Sequence, residues 1–140
     1  MHHLDAYLFF DGTCADAMRF YERTLGGKLF LMTHAESPMA ARMPKGSANA
    51  NRVIHARLDF DRGTLMASDA MAGEPYGGMH GFSLALDYPT AAEARRMFDT
   101  LSQGGKVTMP MDKTFWAEAF GMFTDRFGTP WMVNGAMIKS

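Results

Sequence analysis

Two residues able to bind or transform a small molecule lie close together in the sequence, His55 and Arg57. Residues 53–60 alternate between apolar and polar types, a pattern typical of a strand with one face in the core. His55 and Arg57 share the polar face, where an imidazole can move a proton and a guanidinium can hold an anionic oxygen. The alternative is surface pairing, with Asp59 or Asp69 as the partner.

Aromatic and thioether side chains in the second half are candidates for an apolar ligand pocket. Phe115 and Trp116 lie in a predicted loop, where they either wall an apolar ligand or pack in the core or a dimer interface. The chain contains 14 methionines and 11 phenylalanines, which suit either an irregular core or an adaptable pocket. We include Met122 among the predicted ligand contacts.

Three more residues carry groups that can react. Asp69 ends a predicted strand, where it either meets a ligand or caps a turn. Glu118, in the same predicted loop as Trp116, is either a base or a solvated charge. Cys14 begins a predicted helix whose dipole would lower the pKa of its thiol. Because no His and Asn or Asp set accompanies it, we interpret Cys14 as a buried or cap-adjacent residue.

The elements that position these residues follow from periodicity and from glycine breaks. The first half reads as βαβββ, with an amphipathic helix from residue 13 that ends at Gly26 and a hairpin formed by the last two strands. A predicted loop at 36–51 is typical of a lid, a binding loop or a disordered segment. The predicted strands of this half are 7–10, 28–33, 53–60 and 64–68.

The second half of the chain repeats the first. It has a predicted strand at 82–86 and a helix that opens at 89–90, and each half carries Gly-Gly-Lys after its helix, at 26–28 and 104–106. The internal repeat predicts a duplicated βαβββ unit. We expect one domain, residues 1–140, built of modules at about 1–72 and 79–140.

Composition excludes several classes of partner. The chain of 140 residues has 14 Lys and Arg against 15 Asp and Glu, without a run of like charges, so neither nucleic acid nor an anionic membrane is an expected partner. No apolar stretch reaches about 18 residues and no signal-peptide pattern is visible, which predicts a cytoplasmic protein. The single cysteine excludes an internal disulfide.

The motifs resemble those of a known superfamily. The first helix contains Ala17, Phe20 and Tyr21 and ends in Leu-Gly-Gly at 25–27. In the duplicated βαβββ frame, this is similar to the vicinal oxygen chelate superfamily of glyoxalases, bleomycin-resistance proteins and extradiol dioxygenases. The PhnB-like branch is closer still. Its motifs stand here as Leu-Met-Ala-Ser-Asp at 65–69, Gly-Gly-Lys-Val at 104–107, Phe-Trp at 115–116, Gly-Met at 121–122, Thr-Asp at 124–125, Phe-Gly at 127–128 and Trp-Met at 131–132.

The resemblance implies a fold and a test for metal. It implies a curved mixed sheet around a concave cavity, with helices on the convex side and a dimer that often completes the site. Catalytic members hold a divalent metal with His, Gln or Glu on the first and last strands of each half. The repeat places the closing-strand positions at 66 or 67 and at 131 or 132, where no such donor stands. The opening-strand positions fall near 5–7 and 81–82, close to His3 and His80 but not on them.

We therefore expect an α+β homodimer that binds a small organic molecule in an apolar cavity, with no metal or other cofactor. His55 is the candidate catalytic residue, and whether any reaction is catalysed stays open. The alternative is a metal-dependent lyase, isomerase or dioxygenase of the same superfamily. The predicted ligand contacts are Arg57, Asp69, Phe115, Trp116 and Met122.

Overall fold

The structure is a computed structural model that describes residues 3–43 and 46–138. The first half contains β1 (Ala6–Phe10), α1 (Cys14–Leu25), β2 (Lys28–Thr33), a 3-10 helix (Pro38–Arg42), β3 (Val53–Phe60) and β4 (Gly63–Asp69). The second half contains β5 (Leu84–Tyr88), α2 (Ala91–Leu101), β6 (Lys106–Asp112), β7 (Ala117–Thr124) and β8 (Pro130–Met137). No helix within these described ranges is long and apolar enough to cross a membrane.

Each half forms its own four-stranded mixed sheet. The chain divides after Gly78 into two compact units, which we call module 1 and module 2. The strand order is β1-β4-β3-β2 in module 1 and β5-β8-β7-β6 in module 2. In each sheet the first strand runs parallel to the last, and the other pairs are antiparallel. The predicted α+β fold of two βαβββ modules is confirmed.

The helix of each module covers one face of its sheet. In module 1, α1 packs against β2, β3 and β4, where Ala56, Leu58 and Ala67 are buried. In module 2, α2 packs against β5, β7 and β8, and the rings of Phe98 and Phe123 meet edge to face with their centroids 5.1 Å apart. Because side chains alternate along a strand, the residues between these buried ones lie on the opposite side. We call that side the open face.

At the start of both α1 and α2, a side-chain oxygen accepts hydrogen bonds from backbone N–H groups, but the side chain that supplies it differs. Thr90 caps α2: its hydroxyl oxygen accepts from the backbone N–H of Glu93 at 3.1 Å. Thr13 makes no such bond at α1. There, the carboxylate of Asp69 accepts from the N–H groups of Gly12 and Cys14, at 2.9 and 3.0 Å. The start of α1 therefore depends on a side chain from the end of β4.

Three sequence-based placements were wrong. The fifth strand is Leu84–Tyr88 rather than 82–86, because pairing with β8 begins where Leu84 meets Trp131. Glu118 lies exposed in β7 and not in the preceding loop. Val53, expected on the polar face, is 1% exposed because the β2–β3 pairing is irregular beside it.

The predicted loop at 36–51 contains the 3-10 helix and is tied at its base. The backbone N–H groups of His34 and Ala35 donate to the carbonyls of Arg52 and Ala50, at 3.0 and 2.9 Å. Arg52 in turn donates to the carbonyl oxygen of Ala70 at 2.7 Å. Residues 44 and 45 of this predicted loop lie outside the described residues.

Candidate functional site

The open face of module 1 carries aromatic side chains around Arg57. Strand pairing places Tyr7, Met66, Arg57 and Phe30 in one row across β1, β4, β3 and β2. Tyr7 is 39% exposed and Phe30 is 52% exposed, while Phe9, two residues along β1, is 55% exposed. Three exposed rings on one sheet face form an apolar surface of the kind that binds a ligand or a partner.

Arg57 is held in place by its own strand. Its Nε donates to both carboxylate oxygens of Asp59, at 3.1 and 3.0 Å, and the hydroxyl of Thr64 donates to Asp59 Oδ1 at 2.9 Å. These hydrogen bonds lower the pKa of Asp59, and Asp59 raises the pKa of Arg57. The pairing with Asp59 was one of the two alternatives given by the sequence. The Asp59 carboxylate occupies only one edge of the Arg57 guanidinium, and Nη2 has no hydrogen-bond partner among the described residues.

His55 lies beside an aromatic residue that the sequence analysis did not select. The hydroxyl of Tyr7 is 3.4 Å from His55 Nδ1, and the two rings are stacked with centroids 5.9 Å apart. Tyr7 also contacts the ring of Phe9, at 5.1 Å. His55 and Arg57 therefore share the open face, as predicted, with Tyr7 and Phe9 beside them.

The open face of module 2 carries Trp116, Phe120 and Met122. Trp116 Nε1 donates to Asn134 Oδ1 at 3.1 Å, and the indole ring meets Phe120 edge to face at 5.1 Å. Met122 pairs with Met132 on the same face. Phe115 is 88% exposed and packs its ring against Trp116. The predicted contacts Phe115, Trp116 and Met122 thus belong to module 2, whereas His55 and Arg57 belong to module 1.

Asp69 makes its contacts with the backbone. Besides the two amides at the start of α1, it accepts from the N–H of Val53 through Oδ2 at 2.9 Å. It is 7% exposed, and the three amides use both of its oxygens. These contacts support the capping alternative for Asp69, so it is not part of the site that we propose below.

Cys14 does not have the reactivity expected from its position. Burial raises the pKa of the Cys14 thiol to about 12, and the negative charge of Asp69 adds to the effect. The expectation that the helix dipole would lower this pKa was wrong, because the thiol is fully buried and faces a carboxylate. Its interpretation as a buried residue is confirmed.

The positions where metal ligands were expected carry side chains that suit no hard cation. Tyr7 pairs with Met66 in module 1, and at the equivalent place in module 2 Ala85 pairs with Met132. The opening-strand position of module 2 is therefore Ala85, not 81–82. A phenol, two thioethers and a methyl group do not form a site for Zn²⁺, Mn²⁺ or Mg²⁺. The described residues contain no group of three or more His, Cys, Asp or Glu placed to hold a metal.

Residues 2–133 match the family model of the Glyoxalase/Bleomycin resistance protein/Dioxygenase superfamily. The chain belongs to this superfamily. Among curated proteins, it is 40% identical over 140 residues to Protein YjdN of Escherichia coli (strain K12), covering 94% of this chain and 93% of that protein.

Solved structures agree with this assignment to the superfamily. The crystal structure of protein PA1353 from Pseudomonas aeruginosa is 43% identical, with a TM-score of 0.86 over 96% of this chain and 97% of that one. A PhnB protein from Bacillus cereus has a TM-score of 0.77 at 22% identity, over 95% and 98% of the two chains. The match with the PhnB protein shows a shared fold.

The exposure of the aromatic residues on the open face of module 1 was not predicted from the sequence. Tyr7 and Phe9 alternate with the buried Leu8 and Phe10 in an unbroken apolar run. Such a run is typical of a strand buried on both faces, so it gave no sign that one face is exposed. The missing information was the strand order, in which β4 pairs with β1 on one side and with β3, the strand of His55 and Arg57, on the other.

Proposed function

We propose that the protein is a cytoplasmic homodimer that binds a small organic molecule against the open face of module 1, without a metal. The observation that supports this is the row of exposed rings around Arg57. Burial of apolar surface contributes roughly 25 cal/mol per Å², and aromatic side chains offer large areas at small entropic cost. Tyr7, Phe9 and Phe30 would supply the apolar contacts, and Arg57 and His55 the polar ones.

The metal-independent form of the proposal rests on the residues at the four expected ligand positions. Tyr7, Met66, Ala85 and Met132 offer one phenol oxygen and no carboxylate, imidazole or amide. Ligand binding therefore has to depend on the rings and on the two polar side chains of β3. We assign Trp116 and Met122 to an apolar contact surface on module 2.

A catalytic role for His55 is the second candidate. The hydroxyl of Tyr7 beside Nδ1 favours it, because a hydrogen bond to one ring nitrogen fixes what the other can do. The variant His55→Ala separates the two functions. A binding protein keeps most of its affinity for a ligand, whereas an enzyme that uses this imidazole loses turnover of that ligand.

The test is a thermal-shift screen of organic compounds on protein treated with a chelator and shown to be metal-free by elemental mass spectrometry. A ligand that binds the native state raises the unfolding temperature, by an amount that grows with the logarithm of its concentration relative to its Kd. We expect hits whose affinity is unchanged by adding Zn²⁺, Mn²⁺ or Mg²⁺. Hits that require an added metal would contradict metal independence.

A matched pair of variants then locates the site. Phe9→Ala and Phe30→Ala should each weaken a hit by about fivefold to tenfold, in line with loss of an aromatic contact worth 1–1.5 kcal/mol. Phe82→Ala is the control, because Phe82 is 45% exposed but lies in module 2. Equal affinities for all three variants and the wild type would contradict the proposed site.

A further inference from the structure

The geometry around Arg57 also indicates the chemical class of the ligand, an inference that rests on the proposed function. Asp59 holds the Nε of Arg57 and is itself held by Thr64. Among residues 3–43 and 46–138, the one hydrogen-bond contact of Nη1 is a distant thioether, 4.0 Å away at Met66 Sδ. The outer edge of a fixed guanidinium thus remains free to donate, and its planar pair of N–H groups matches two oxygens of an oxyanion.

Aromatic and thioether side chains lie around this edge on the open face. Arg57 lies in one row with Met66, Tyr7 and Phe30, and Phe9 follows on the same face of β1. Aromatic rings pack in offset or edge-to-face geometry, which a flat conjugated ligand fits better than a branched aliphatic one. A ligand that meets both features carries an aromatic ring and an oxyanion attached to it.

The surface does not select an anion by net charge. Lys28 pairs with Asp59 on the same face, and Asp5 acts electrostatically on Arg57, so two cations stand near two carboxylates. Selection therefore depends on directed hydrogen bonds from the guanidinium. Replacing the oxyanion by an amide removes one of the two acceptors at constant shape, and the loss measures this contribution.

Module 2 provides an internal comparison. Met132 of β8 is equivalent to Met66 of β4. The strand partners of Met132 are Met122, which is therefore equivalent to Arg57, and Ala85, which is equivalent to Tyr7. The residue equivalent to Asp59 is Thr124. The duplicated fold therefore does not require the guanidinium or its carboxylate partner at these positions, and the second sheet forms without them.

From these observations we propose that the ligand is a planar aromatic anion, such as an aromatic carboxylate. Its ring lies on Tyr7 and Phe9, and its oxyanion accepts hydrogen bonds from the Nη groups of Arg57. Asp59 is a positioning residue that orients the guanidinium and does not touch the ligand.

The experiment compares 2-naphthoate with 2-naphthamide, which share ring and size but differ in charge, by isothermal titration calorimetry. Wild-type protein should bind 2-naphthoate about tenfold more tightly, the usual effect of a charge-assisted hydrogen-bonded pair. Arg57→Met, which installs the residue found in module 2, should bind both probes equally. Arg95→Met, an exposed arginine on α2, makes the same charge change elsewhere and should retain the preference.

The outcomes separate the inference from the proposed function. If Arg57→Met keeps the preference for 2-naphthoate, the inference is wrong. If both probes bind equally to wild type and both are weakened by Phe9→Ala, the inference is wrong while the proposed function stands. If neither probe binds saturably, the inference is wrong, and the thermal-shift screen decides the proposed function independently. An unchanged unfolding temperature of Arg57→Met shows that the variant is folded, as expected for an exposed side chain.

Discussion

Single residues of this chain show how burial decides between reactivity and structure. Cys14 is at a helix start, a position that activates thiols elsewhere, yet its pKa is raised to about 12 by burial and by Asp69. A neutral thiol is therefore part of the folded state. Ionisation requires unfolding or a local opening, so Cys14 stabilises the fold only while it remains protonated.

Because of the raised pKa of Cys14, we expect the folded protein to lose stability at alkaline pH. The folded pKa lies above the unfolded value of about 8.5, so the contribution is complete below pH 8.5 and is lost as pH rises toward 12. The slope is at most about 1.4 kcal/mol per pH unit. Urea unfolding of wild type and Cys14→Ala between pH 7.5 and 10.5 should give a stability difference that shrinks with pH. A difference that stays constant would contradict the prediction.

Replacing one carboxylate oxygen of Asp69 should lower the free energy of unfolding substantially. Asp69→Asn retains one carbonyl oxygen and gains an NH₂ group, which cannot accept from the amide that Oδ2 now serves. Leaving a buried N–H unsatisfied costs about 1–3 kcal/mol, so the free energy of unfolding should fall by about that amount in denaturant titrations. Asp59→Asn is the matched control, because that carboxylate is exposed and should change stability by less than about 0.5 kcal/mol. Equal losses for the two variants would show that the backbone contacts of Asp69 are unimportant.

At the scale of elements, the duplicated turn between helix and strand is the tightest constraint. Gly27 follows α1 and Gly105 follows α2, and each passes directly against the strand across the sheet. A Cβ at Gly27 would collide with the carbonyl oxygen of Asp59, and one at Gly105 with that of Thr124. The repeated Gly-Gly-Lys of the sequence therefore marks where the helix connection crosses closely over the backbone of the third strand in each module.

Gly105→Ala should therefore destabilise the protein by more than Gly104→Ala. Gly104 has a φ of +75°, which costs an alanine about 1 kcal/mol, but its added Cβ meets only the side chain of Arg126. At Gly105 the colliding atoms are backbone, so the sheet has to shift, and we expect a loss of more than about 3 kcal/mol. Thermal unfolding of both variants checks the order. A smaller loss for Gly105→Ala would contradict the close approach.

The elements also show why the fold was predictable while the site was only partly so. Helix periodicity, glycine stops and the repeat are local signals, and they gave the order of the elements and the bounds of β2 and β3. The position of β5 failed because its register is set by β8, about 45 residues later. The same holds for the site: His55 and Arg57 came from alternation within one strand, but Tyr7 and Phe30 join them only through pairing with β4 and β2.

At the scale of the whole molecule, both modules expose large apolar side chains. Monomers rarely expose apolar patches of more than a few hundred Å² unless the patches bind something. The edge strand β6 is a poor site for pairing with a second copy. Pro110 lacks an N–H and Lys106 carries a charge, and both features are typical of strands that avoid edge pairing. A sheet face other than the open face of module 1, which holds the proposed ligand site, is the better candidate for a contact between copies. The exposed large apolar residues are Leu4, Tyr7, Phe9, Phe30, Met71, Phe82, Val107, Met109, Phe115, Met137 and Ile138.

The proposed homodimer predicts a mass in solution of twice the 15.5 kDa of one chain. Light scattering coupled to size exclusion at 10 and 100 µM should give that value at both concentrations, because obligate homodimer interfaces bury about 2,000 Å² or more and do not dissociate in this range. Met109→Lys, at the β6 edge, should leave the mass unchanged. A mass of one chain at 100 µM would exclude the homodimer, and a monomeric Met109→Lys would place the interface at the edge strand instead of at a sheet face. In either case the exposed rings of module 1 would remain free in solution, which strengthens the requirement that a ligand cover them.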